Sequence, residues 1–413
     1  MFESMFDIDR DASQAELRAL VERCERLKSA AAAAQARATA LWAAKRRDAE
    51  QAAGVSARRR GKGLASEIAL ARRDAPVKGN QHLGFAQALV QEMPHTLAAL
   101  ECGALSEWRA TLIVRESACL TVEHRRQLDA ELCADTAKFD HWGNNRVEAE
   151  AKKIAARLDV AAVVEHNTKA EQDRCVTIRP APNTMAYVSL LLPVAQAVSI
   201  YAALTRHADT IGDGRSRHQI MADTACERIT GRAVTAPVSV ALNLVMADTT
   251  LAGDDTEPAW LDGYGPVPAG FACKLTGDAV ADAQAKATLR RLYRHPRSGQ
   301  LVAMESRARI FPKGLARFIG LRDQTCRTPF GPTTALNGLG MCQACNYTKE
   351  APDWTVTTTD HDGDHTAEFR TPTHAVYHSI APPLPGTRIR RQLSLVEGQL
   401  GIDIITFEPR TAA

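Results

Sequence analysis

Hydrophobic positions along the first 160 residues recur at helical spacing. Ser13-Gln14-Ala15-Glu16 fits a capping box, in which the serine hydroxyl and the glutamate carboxylate satisfy reciprocal backbone N–H groups. Leu17, Leu20, Val21, Cys24 and Leu27 then share one face, and the pattern continues through an alanine-rich stretch to about residue 50. The apolar stripe of this predicted helix is narrow. Such a stripe suits a partner helix better than a thick core, and it offers a homodimer contact. A short helix is expected over 66–71, ended by Asp74-Ala75-Pro76, and a second over 81–91. Two short helices about a tight break have the form of a helix-turn-helix, expected here near 64–92. Leu97, Leu100, Leu105, Trp108, Leu112, Ile113, Leu128 and Leu132 carry the helical period on to about residue 158.

The period then changes. Cys175-Val176-Thr177-Ile178 and the stretch 185–190 read as paired strands joined by a Pro- and Asn-containing turn at 180–183. A helix over 194–207 follows, then a polar loop at 213–219 leading into a helix over 220–229, then a β-branched strand over 238–246. Gly263-Tyr264-Gly265-Pro266-Val267-Pro268 reads as a rigid turn, not a phosphate loop, because no Lys or helix-opening glycine pattern accompanies it. Further on, 354–359 and 366–370 read as strands flanking a solvated polar turn, His361-Asp362-Gly363-Asp364-His365. The fold class expected is mainly α with a small α+β insert. The domains expected are a helical one over 1–165, an α+β continuation over 166–315, a smaller domain over 316–386 and a tail over 387–413.

Composition narrows the picture. Apolar residues at 45% and charged residues at 24% exclude wholesale disorder, and 5% aromatic residues with abundant alanine favour helices over a β-sandwich. No run approaches the 18 to 20 apolar residues of a membrane span, and the first residues lack a basic segment followed by an apolar one, so a cytoplasmic protein is expected. A net charge of +3 does not by itself announce a nucleic-acid partner, so any such case rests on where the charges sit. They are densest at Lys45-Arg46-Arg47, at Arg58-Arg59-Arg60 with Lys62, and at Arg72-Arg73. A solvated helix face accounts for such a run, and contact with DNA phosphates is the alternative.

Seven of the ten cysteines are scattered, mostly inside apolar patterns, and are expected to be small buried hydrophobes, and three cluster near the C-terminus: Cys326, Cys342 and Cys345. A CxxC pair in a reducing compartment is a metal half-site or a redox pair. No thioredoxin-like βαβ context surrounds this one, so metal is preferred, with Cys326 as a third sulfur for zinc and no fourth ligand apparent.

Residues 321–326 (L-R-D-Q-T-C), then Gly331-Pro332-Thr333-Thr334-Ala335-Leu336-Asn337, Cys342-x-x-Cys345-Asn346 and Lys349, together resemble the C-terminal nuclease domain of a bacterial HNH endonuclease family. In that family a helical domain of unknown function precedes the nuclease. Segments at 213–222, 258–268, 306–309 and 372–386 resemble recurring stretches of the same family. The resemblance implies a ββα-metal fold, here a zinc-knuckle remnant. It also implies a histidine general base that activates water against a DNA phosphodiester, and a magnesium or manganese ion at the leaving oxygen. It assigns Asn337 to the middle position of the trio and Asn346 to the third, and Cys326, Cys342 and Cys345 to three of four zinc ligands.

The sequence departs from that pattern where the base should stand. None of the ten residues 327–336 is Cys or His, so the general base and one zinc ligand are missing. Two readings follow. One is an HNH-type DNA endonuclease impaired by loss of its histidine. The other is a non-catalytic DNA-binding or helical interaction protein.

Overall fold

The computed structural model describes residues 8–234, 244–252, 255–281, 292–294, 299–304, 319, 321–324, 339–340, 342–361 and 364–385. The chain divides into two compact units, Met1–Gln172 with Gln343–Trp354, and Asp173–Cys342 with Thr355–Ala413. No described helix is long and apolar enough to cross a membrane.

The first unit is helical. Its long helix α1 (Gln14–Ala52) starts at the Ser13/Glu16 capping box that the sequence predicts. The middle of α1 buries a stripe of small residues, Ala32, Ala33, Ala36, Ala40 and Ala43, with Ser29 and Thr39 beside them. Small side chains let neighbouring helices approach closely, and α3 (Gly79–Gln91) and α4 (Pro94–Glu101) pack along this stretch. Partner helices thus lie in the same chain over residues 29–43, whereas Leu17, Val21 and Leu27 of the stripe named from the sequence stay exposed. Helices α5 (Glu107–Glu116), α6 (Val122–Cys133) and α7 (Asn144–Leu158) complete the core, with Leu89, Met93, Leu100, Ile113, Leu128, Phe139 and Val147 buried in one cluster. Arg109 fastens the loop between α6 and α7: its guanidinium donates to the Trp142 carbonyl at 2.7 Å and to Asn144 Oδ1 at 3.1 Å. Helix α8 (Val160–Ala170) follows and buries none of its residues.

Helix α2 (Leu64–Ala71) lies almost wholly buried, and a buried ion pair, Arg46 to Glu67 at 2.7 Å, ties it to α1. Residues 72–78 lead from α2 to α3 through a 3-10 turn (Pro76–Lys78). The two helices cross tightly where Gly79 meets α2. A Cβ added there would lie 1.9 Å from the Ala65 carbonyl oxygen, which is backbone and has no rotamer to change. Gly79→Ala is expected to force the pair apart and to lower stability by about 3 kcal/mol, the upper part of the range for overpacking. A urea midpoint unchanged by this substitution would contradict the crossing.

The second unit holds the β structure. Strands β1 (Cys175–Ala181) and β2 (Met185–Leu191) form the antiparallel hairpin expected from the sequence, and α9 (Val194–Ala208) and α10 (Arg217–Thr230) follow. Helix α10 opens on a second capping box, Ser216 with Gln219. Of the strand expected over 238–246, residues 244–245 form β3 (Leu244–Val245), and 238–243 lie outside the described residues. After the short helix α11 (Asp248–Ala252), β4 (Ala259–Leu261) and β5 (Gly265–Val267) extend β3 into a three-stranded sheet. The stretch 263–268 is thus not simply a rigid turn. Gly265-Pro266-Val267 is a strand, with Val267 buried against Ala259 and Ala272 of α12 (Ala269–Ala281). Strands β6 (Leu292–Arg294) and β7 (Leu301–Met304) pair separately.

Beyond α13 (Gln343–Thr348), which packs in the first unit, the second unit resumes with an antiparallel sheet of β8 (Thr355–His361), β9 (Asp364–Arg370) and β10 (Val376–Ile380). His361 and Asp364 are paired strand ends, and His365 is a buried strand residue whose N–H donates to Gln300 Oε1 at 2.8 Å. His365 therefore does not belong to a solvated turn, as the sequence suggested. Strand β9 alternates inward Ala367 with outward neighbours, so the imidazole is taken into the core by register.

Candidate nucleic-acid interface

The positive stretch between α1 and α3 is built by local backbone geometry. After α1 ends, residues 57–59 make a 3-10 turn that carries Arg58 and Arg59 outward. Gly61 and Gly63 both take left-handed backbone conformations, φ +72° and +85°, that side-chain-bearing residues rarely adopt. Between them Lys62 stands exposed. The Gly61 N–H donates to Glu50 Oε2 at 2.5 Å, which fixes the turn to the end of α1. Gly63 is also required for space, since a Cβ there would come within 2.7 Å of Ala351 Cβ and of the Trp354 indole nitrogen.

The six cations singled out from the sequence do not behave alike. Arg60 is held locally, with Nε donating to the Val55 carbonyl at 2.8 Å and Nη1 to Gln51 Oε1 at 3.0 Å. Arg72 pairs with Glu107 of α5 at 2.6 Å. Both are half-buried and serve the fold. Arg58, Arg59, Lys62 and Arg73 are exposed and make no ion pair or hydrogen bond among the described residues. They flank the two ends of α2, an eight-residue helix that is about 12 Å long by its rise.

Helix α13, which carries Cys345 and Asn346, packs beside the same turn. Ser66 Oγ of α2 lies 2.6 Å from Thr348 Oγ1. Gly61, Lys62, Pro76, Asn80, Tyr347 and Thr348 are among the residues that line a cavity of about 520 Å³ there. Tyr347 is more than half exposed at its edge. Two residues before Pro76, the Asp74 carboxyl is held under the ordinary carboxylate range, first by the Ala75 N–H that it accepts and next by His82, whose Nε2 is 3.0 Å away. Sequence reasoning singled out neither Tyr347 nor Asn80. The signal available for Tyr347 was its place one residue after the CxxC-Asn motif, in a chain poor in aromatic residues.

The metal-site candidates are only partly placed. Cys326 and Asn337 lie outside the described residues, as do 306–309 and 386 of the recurring segments. Cys342 is exposed, while Cys345 and Asn346 are half-buried on α13. Among the described residues no three of His, Cys, Asp or Glu converge where a metal ion could sit, so these residues alone do not form a site for zinc, magnesium or manganese. The described β-sheet nearest in sequence to α13, β8–β9–β10, follows it in the chain. It therefore is not the hairpin of a ββα motif, which would precede the helix. Arg322 and Asp323 of the L-R-D-Q-T-C segment form a buried pair instead: Arg322 Nε is 2.7 Å from Asp323 Oδ1, and the Gly340 N–H donates to Asp323 Oδ2 at 2.6 Å.

No curated protein and no solved structure matches the chain. A family model does, over residues 18–323, which take in the cationic turn, the α2–α3 pair and the buried Arg322–Asp323 pair and end just before Cys326. The chain belongs to the family described as Domain of unknown function (DUF222).

Proposed function

We propose that this protein binds duplex DNA through the cations at the two ends of α2, and that it is an HNH-type protein that holds DNA without hydrolysing it. The observation that carries the reading is a set of four exposed cations, Arg58, Arg59, Lys62 and Arg73, in one segment of the first unit and without partners among the described residues. Folding employs Arg60 and Arg72 but leaves these four directed at solvent. Cations that neutralise phosphates release condensed counterions, which is the main source of sequence-independent affinity for DNA. The cations lie before and after α2 in the chain, so they can reach more than one phosphate. Tyr347 at the cavity edge adds an aromatic face of the kind on which an unstacked base rests.

The resemblance of residues 321–349 to HNH nucleases supports DNA as the polyanion. The absence of any histidine over 327–336 supports binding without cleavage, because losing a general base costs roughly a hundred- to ten-thousand-fold in rate. Incubation of the full chain with supercoiled plasmid and manganese or magnesium tests both halves. Retarded plasmid that stays supercoiled, with and without chelator, is the expected result. Metal-dependent nicking overturns the loss of catalysis, and unretarded plasmid overturns the binding.

A further inference from the structure

The β1–β2 hairpin has no cover on either side among the described residues. Every residue of β2 is exposed, and every residue of β1 except the half-buried Ala181. The register places Val176 opposite Leu190, Ile178 opposite Val188 and Pro180 opposite Ala186, and directly opposed residues share a face. One face of the ribbon is therefore apolar along its length and bears no charge. The other is mixed: it carries Cys175, Met185 and Leu191 beside Thr177, Ser189 and the Arg179 guanidinium, which lies 4.3 Å from the centre of the Tyr187 ring. Ile178 is 71% exposed and Val188 60%.

Helix α9 repeats the observation. Its last turn packs Leu204 and Ala208 against Ile220 and Met221 of α10, whereas Val194, Val198 and Tyr201 form a stripe left open to water. Seven large apolar side chains, Val176, Ile178, Val188, Leu190, Val194, Val198 and Tyr201, are exposed on this face and stripe. At on the order of 100 Å² each they amount to about 700 Å² per chain, above the roughly 300–600 Å² of the largest patch on an ordinary monomer and within the roughly 600–1,000 Å² per partner of a standard interface.

We infer that this apolar face of the β1–β2 hairpin, with the open stripe of α9, is the surface through which two copies of the chain associate. A lone two-stranded hairpin is at best marginally stable in water, so its cover must be present whenever the chain is folded. A second copy meets that condition in fixed proportion. The face also suits itself, since an isologous two-fold contact sets like against like and an uncharged surface then meets no repulsion. This inference stands independently of DNA binding.

Light scattering of the full chain tests it. A mass twice the 44.8 kDa of one chain is expected, halved by Val188→Asp with helical circular dichroism retained. Ser189→Asp is the control: one residue along, it stands on the opposite face and leaves the dimer intact. A single-chain mass for the unmodified protein from about 1 to 100 µM overturns the inference, whether another part of the chain or another partner covers the face. A Val188→Asp protein that stays dimeric overturns it as well. If Val188→Asp does not fold, a photo-crosslinking side chain at 188 supplies the reading. Chain-to-chain adducts there and none from 189 are expected, and none from either overturns it.

Discussion

Replacing Arg58, Arg59, Lys62 and Arg73 together by glutamine is expected to weaken duplex binding by about a thousandfold or more at 0.1 M salt. Each cation that leaves a phosphate forfeits about 0.9 of a logarithmic unit at that salt concentration, because its share of counterion release is lost. The fold is expected to survive, since all four side chains are exposed and hold nothing else in place among the described residues. Glutamine at Arg60 and Arg72 is the informative comparison. Those guanidiniums hold Val55, Gln51 and Glu107, so their loss is expected to appear first as a lower melting temperature. Electrophoretic retardation of a short duplex, run beside a thermal melt, separates the two outcomes. Equal weakening from both variants would mean that the cations act through the fold and not through contact.

The largest effect on stability is expected at Asp129. Its carboxylate sits on α6, fully buried, and caps the start of α4. Oδ2 accepts the His95 N–H at 2.8 Å, and Oδ1 accepts the Thr96 N–H at 2.7 Å and lies 2.6 Å from the Thr96 hydroxyl. Three donors at a helix N-terminus thus depend on one side chain from another helix. Asp129→Ala leaves the buried Thr96 N–H and the part-buried His95 N–H without their acceptor, at a cost of about 4 kcal/mol, a large share of the roughly 5–15 kcal/mol that holds a domain together. Asp129→Asn keeps one acceptor oxygen and should lose about half as much. Urea unfolding followed by circular dichroism reads both. Cys133 lies in the same environment, and burial pushes its thiol up to about 12.

The fold was legible in the sequence where local chemistry decides it. Ser13 and Glu16 are three residues apart and announce the start of α1 without help from the rest of the chain. The alternation in 175–191 likewise gives the hairpin and its turn. The narrow apolar stripe of α1 calls for a partner helix but does not say which one or where along α1 it packs, because stripe width carries no address. Gly265-Pro266 reads as a turn by composition, and pairing with β4 makes it a strand. Strand β10 went unrecognised because its partner β9 supplies the order, and the polar loop containing His365 was misread for the same reason.

The candidate interface was legible only in part. The run of cations is plain in the sequence, but which of them folding engages is not: Arg72 finds Glu107 thirty-five residues away. That α13 packs beside the cationic turn rests on Ser66 meeting Thr348 across 282 residues, a separation over which no periodicity speaks. The CxxC-Asn motif drew notice to Asn346 as chemistry. Its helix is also what sets Tyr347 beside Lys62 at the cavity.

The central claim is contact between four particular cations and DNA phosphates. Its most direct test is the salt dependence of duplex binding, measured by anisotropy of a labelled 20-base-pair duplex from about 50 to 200 mM salt. Four phosphate contacts correspond to a slope of about −3.6 in a plot of log affinity against log salt concentration, flattened towards zero in the fourfold glutamine variant. Affinity that is negligible at about 50 mM salt, or a slope that the fourfold variant leaves unchanged, would contradict the account.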